Sequence, residues 1–169
     1  MAAQTDGMAQ MSLHASPFVR TGTGLLVHPA GRAPDPEGLC PGTGVMTMAG
    51  ERPVEDLLPG DRIVTRDRGA VPLAGLERIS AQYVPVTVLA AALNRQAADT
   101  VLPAGQRILV RDWRALALFG TATAIAPIRR LIDGEFIAAG PRTGGDLWFL
   151  SFERPHVIYA GGLEIAVRG

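Results

Sequence analysis

The sequence predicts an all-β domain of short strands with minor helical turns, and three observations carry that prediction. Apolar residues are 47% of the 169 and charged residues 19%, the balance of a chain that buries a core. Short runs rich in Val, Ile and Thr recur along most of the chain, each bounded by Gly, Pro or Asp. Segments with a helical pattern are few and brief, namely Trp113 to Phe119 and Ile128 to Leu131.

Residues 1–37 are rich in Ala, Gly, Met and Pro, with Pro29, Pro34 and Pro36 clustered at the end. No apolar period persists there, so they are expected to form a mobile leader or linker, followed by one domain over 38–169. Val45 to Met48 reads as a strand turned by Ala49-Gly50, and Pro53 to Leu57 as a helical turn stopped by Pro59-Gly60. Arg62 to Arg66 is a strand around Ile63 and Val64; Asp67-Arg68-Gly69 makes a tight turn, and a strand returns through Val71. The charged residues from Asp61 to Arg68 read as a solvated hairpin end. Val84 to Leu89 is the next strand. Arg107 to Arg111, three apolar residues flanked by arginines, reads as a strand buried on both faces. Leu147 to Phe152 and His156 to Ala160 complete the set, joined by a turn at Arg154-Pro155.

Charge and composition exclude several function classes. The net charge is zero, so nothing draws the chain electrostatically to nucleic acid or an anionic membrane. Every basic residue is Arg, which with abundant Ala, Gly and Pro reflects a GC-rich coding sequence rather than a binding surface. One cysteine, Cys40, makes neither a disulfide framework nor a thiolate cluster, and His14, His28 and His156 lack metal-ligand spacing, so no metal is expected. No Gly-rich phosphate loop joins a strand to a helix, and no cofactor is expected. Met1 to Leu13 lacks the basic head and apolar run of a secretory signal. The stretch Ala115 to Ile128 falls short of the ~20 residues that span a bilayer and contains Gly120 and Pro127. The bacterial cytoplasm is the default location, although a leaderless export route would leave no mark in the sequence.

Four segments in order carry a family resemblance: Gly50 to Asp67 (GERPVEDLLPGDRIVTRD), Leu102 to Trp113 (LPAGQRILVRDW), Arg130 to Ile137 (RLIDGEFI) and Glu153 to Glu164 (ERPHVIYAGGLE). Together they resemble the successive blocks of bacterial Hedgehog/intein (Hint) domains over about residues 38 to 165. The resemblance implies a horseshoe-shaped β-domain with pseudo-twofold symmetry. It also implies an autocatalytic acyl shift, in which a Cys or Ser at the domain's first position attacks the preceding carbonyl and a central histidine protonates the departing nitrogen.

The chain departs from that pattern at each catalytic position. Pro41-Gly42-Thr43 matches the family's opening, which places Gly38 where the nucleophile belongs; Cys40 stands two residues later. A two-residue slip along a strand is about 6–7 Å, far beyond the ~1 Å that can already cost a hundredfold in rate. In Ala104-Gly105-Gln106-Arg107, Gln106 aligns with the central histidine, and a glutamine shuttles no proton near neutrality. Pro155 takes the place of the late histidine and His156 stands beside it, on the opposite face if the segment is a strand. The chain ends Arg168-Gly169 without a His-Asn pair, so splicing is not expected.

The candidate site residues are therefore Cys40, Gln106 and His156, and two functions compete. One is a degenerate Hint scaffold kept as a structural or protein-interaction module with an unidentified protein partner. The other is self-cleavage by an N-to-S acyl shift at Leu39–Cys40. Read structurally, Cys40 is a small packed residue at the start of the domain, His156 a strand-end histidine, and Arg111 and Asp112 anchors of a loop beside Trp113.

Overall fold

The computed structural model describes residues 34–94 and 98–169, together with the isolated strand pair β1 (Val19–Arg20) and β2 (Leu26–Val27). Of the expected leader, residues 1–37, the rest up to residue 33 lies outside the described residues. Two compact units are distinguished, residues 1–33 and 34–169.

In the second unit the predicted class holds. The strands are β3 (Gly44–Thr47), β4 (Gly50–Pro53), β5 (Arg62–Thr65), β6 (Gly69–Pro72), β7 (Gly75–Tyr83), β8 (Pro85–Val88), β9 (Thr100–Pro103) and β10 (Arg107–Val110). After the helix α1 (Trp113–Phe119) come β11 (Ala124–Pro127), β12 (Ile137–Ala139), β13 (Thr143–Ser151), β14 (His156–Ala160) and β15 (Leu163–Val167).

The main sheet has the order β11-β10-β15-β14-β3-β5-β6, with β4 added to β3. Its inward face is set by the two-residue period of the strands. In β14, His156, Ile158 and Ala160 are buried while Val157 and Tyr159 are only half-buried. Val45, Ile63, Ile108, Ile158 and Ile165 meet in the core with almost no exposed surface. A three-stranded sheet has the order β12-β8-β9, with Val86, Val88 and Leu102 in the same core, and β7 pairs β13 in a separate two-stranded ribbon. That ribbon runs antiparallel for nine residues, from Gly75↔Ser151 to Tyr83↔Thr143. No helix among the described residues is long and apolar enough to cross a membrane.

Several elements differ from the sequence reading. The strand at Arg107 is not buried on both faces: Ile108 and Val110 point inward, while Arg107 is exposed and Leu109 only half-buried. It lies between two neighbours in the sheet, but only one of its faces meets the core. β7 was unmarked in the sequence because most of its residues are exposed, leaving no apolar alternation to read. β15 did carry a signal, since Gly161-Gly162 between Ala160 and Leu163 is a two-residue hairpin turn in which both glycines take positive φ. The helical turn after Pro53 is a 3₁₀ turn, Val54–Asp56, and the residues before it form β4. The helix at Trp113 forms where expected: the Asp112 carboxylate caps it by accepting from the Arg114 N–H, and Gly120 at φ 72° ends it.

Candidate functional site

The chain enters β3 through the segment Pro34 to Thr43. Leu39, 1% exposed, forms an isolated antiparallel bridge with Trp148 of β13. Its N–H donates to the Trp148 carbonyl at 2.8 Å, and its own carbonyl accepts from the Trp148 N–H at 2.9 Å. Before it, Gly38 sits at φ +110°, a conformation that side chains resist. A Cβ there would also press on Leu147, Phe149 and the Trp148 carbonyl at 3.1–3.2 Å. After it, the turn at Pro41-Gly42 is closed by Thr43, whose N–H and hydroxyl both donate to the Cys40 carbonyl, at 3.2 and 2.7 Å.

Gln106 closes the β9–β10 turn, its N–H donating to Pro103, and its side chain is buried. The Oε1 accepts the Gly38 N–H at 2.8 Å. The Nε2 donates to the carbonyls of Arg107 at 2.9 Å and Ala166 at 3.1 Å. Two carbonyls facing the nitrogen and one N–H facing the oxygen leave a single orientation of the amide. The two positions that the sequence aligned with the family's nucleophile and histidine thus meet in space, as Gly38 and Gln106. Glycine brings no nucleophile, and an amide brings no titratable proton.

Cys40 points elsewhere. It packs with Tyr83 and Leu147, its Sγ donating to the Tyr83 hydroxyl at 3.6 Å. Burial pushes the thiol pKa up, only partly offset by the tyrosine hydrogen bond. Burial, reinforced by Cys40, pushes Tyr83 up from 10.0 to about 12. A protonated, buried thiol is a poor nucleophile.

His156 is buried at the start of β14, with its Nδ1 2.7 Å from the Asp67 carboxylate and its ring edge-on to Phe152. Asp67 lies in the β5–β6 turn, so this turn is more than the solvated hairpin end that its charges suggested. Asp61 likewise accepts from Arg52 and from the Leu58 N–H. Burial opposes ionisation of Asp67, but the His156 hydrogen bond and backbone donors together hold its pKa below the usual value.

The three candidate residues therefore do not share one cleft: Cys40 stands apart, while the clefts of Gln106 and His156 adjoin along Glu37, Ala166, Val167 and Arg168. Gln106 lines a cleft with Glu37, Gly38 and Trp148; Cys40 one with Thr43, Thr100 and Gly161; His156 one with Arg107, Asp67 and Val167. Arg111 pairs with Glu164. Sequence reasoning missed Tyr83 and Asp67, the partners of the cysteine and the histidine. Both sit on elements far along the chain from the residue they touch, and no local pattern marks such pairs.

Comparison with known proteins agrees with this architecture. The Hint domain family model matches residues 38–166. The gp41-1 intein superposes with a TM-score of 0.52 at 10% identity, over 79% of this chain and 99% of the intein. The Msm DnaB1 intein splicing domain, solved with zinc bound, gives 0.52 at 13% identity, over 77% and 99%. At such identities the likeness is one of fold alone. No curated protein matches the chain in sequence.

Proposed function

The chain belongs to the Hint domain family, and from that membership we propose that it is a degenerate member, retained as a structural or protein-interaction module without efficient self-processing. The observation that carries this reading is the Gly38–Gln106 pair. At the position of the family's nucleophile the backbone N–H is held by an uncharged amide, with nothing to attack the preceding carbonyl and nothing to protonate the leaving nitrogen. General acid–base help worth roughly 10²–10⁴ is absent from such a pair.

The competing acyl shift at Leu39–Cys40 finds less support. The Leu39 carbonyl is engaged by Trp148, and the Cys40 thiol is turned to Tyr83 and held protonated. In the reading preferred here, residues 38–169 form the module and residues 1–37 lead into it. An unidentified protein is the partner this reading proposes, zero net charge offering no pull toward nucleic acid, and the bacterial cytoplasm is its default location, with a leaderless export route left open.

Intact-mass spectrometry of the full chain at neutral to mildly alkaline pH, with and without hydroxylamine or dithiothreitol, tests this directly. An unchanged mass over days is expected. A thiol-accelerated product beginning at Cys40, absent from Cys40→Ala, overturns the reading in favour of the acyl shift.

A further inference from the structure

The segment leading into the domain is held by more contacts than a plain connection requires. Leu39 exchanges both backbone hydrogen bonds with Trp148 and buries its side chain in the core. Gln106, 3% exposed, directs its oxygen at the Gly38 N–H, and it cannot turn away because both its donors are engaged by Arg107 and Ala166. Gly105 lies so close beneath the segment that a Cβ there would overlap the carbonyls of Asp35 and Pro36. At the rim, Arg142 pairs with Asp35 at 2.9 Å and Arg168 with Glu37 at 2.5 Å.

Resting on the reading of this cleft as one that does not cut, we propose that it is a peptide clamp whose ligand is the chain's own acidic segment Asp35-Pro36-Glu37-Gly38-Leu39. The clamp fixes the point at which the chain upstream of Pro34 leaves the domain. Its selectivity follows from its walls. Glycine is required at 38 by the positive φ and by the nearness of Leu147 and Phe149, and a buried aliphatic side chain at 39. Carboxylates are favoured at 35 and 37 by the two guanidinium groups. Gly105 and Gln106 form its floor, the first by having no side chain and the second by supplying a buried side-chain acceptor that faces the segment. A histidine at 106 accepts that hydrogen bond only when neutral, whereas glutamine accepts it at every pH; glutamine makes this one hydrogen bond independent of pH.

Amide hydrogen exchange on the full-length protein tests the clamp. In the native protein the Gly38 and Leu39 amides should be protected about a hundredfold or more over open chain. In Gln106→Met, Gly38 protection should fall by about tenfold while the Ile158 and Ile165 amides keep theirs. Open-chain exchange at Gly38 in the native protein, or no change in Gln106→Met, overturns the proposal. Should Gln106→Met loosen the core as well, a double Arg142→Glu, Arg168→Glu variant decides. A Glu-specific protease should then cut after Glu37 about fivefold faster than in the native chain, and an equal rate overturns the clamp. Spontaneous breakage without protease, seen by intact mass, would instead overturn the functional reading and leave the protection pattern standing as a separate fact.

Discussion

Cys40 and Tyr83 show what burial does to two titratable side chains that touch. Each keeps its proton more firmly in the folded protein than in the unfolded chain, the thiol above 9.0 and the phenol near 12. The native state therefore binds more protons than the unfolded state once the pH passes their ordinary values, and stability falls as pH rises. The thiol begins to contribute as the pH passes its ordinary 9.0, and the phenol contributes between 10.0 and about 12. Denaturant unfolding at steps across that window should show a falling midpoint, and in Tyr83→Phe the fall from pH 10 upward should be shallower. Identical slopes in both proteins would mean that the phenol is not held as the structure has it. The same burial predicts that Cys40 reacts slowly with a disulfide reagent until the protein is denatured. Neither partner of this pair is legible near the other in sequence, because they meet only through the bridge between Leu39 and Trp148.

At the level of elements, two contacts fasten segments that lie far apart in the chain. Leu39 closes the incoming segment against β13, and its side chain leaves a cavity if it is cut back. Leu39→Ala should cost about 2–5 kcal/mol in thermal or denaturant unfolding, a larger loss than the connection to a domain normally carries. The turn between β5 and β6 is fastened to β14 by Asp67 and His156. Since Asp67 ionises more readily when folded, its contribution is present above the ordinary value of 3.8 and is lost as the pH falls through its lowered one. Asp67→Asn should therefore unfold with a weaker dependence on pH below about 4 than the native chain, and an unchanged acid limb would remove Asp67 from the account. The strands β5 and β14 were readable because one face of each is buried. The ribbon β7–β13 was half-hidden, since Leu147 to Phe152 carries an apolar pattern and most of Gly75 to Tyr83 does not.

For the whole domain, the pairing pattern governs how it folds. β14 joins β3 and β5, and β13 joins β7, so strands far apart in the chain must meet before either the main sheet or the ribbon is complete. Chains dominated by such distant pairings fold in roughly milliseconds to seconds. Stopped-flow refolding followed by tryptophan fluorescence should fall in that range, with the Trp148 signal arriving together with the main phase because its backbone partner Leu39 is supplied from the other end of the domain. A microsecond phase carrying most of the amplitude would contradict this topology.

Sequence alone determined the class of the molecule and the family resemblance, because strand length, turn residues and block order are local quantities. It also aligned Gly38 and Gln106 with the missing nucleophile and histidine. Only the tertiary structure decided that those two residues bond to each other, that Cys40 turns to Tyr83, and that His156 answers to Asp67. Which side chain meets which is settled by the register of strands that pair across the length of the chain, and a one-residue change in register turns every side chain of a strand to the other face.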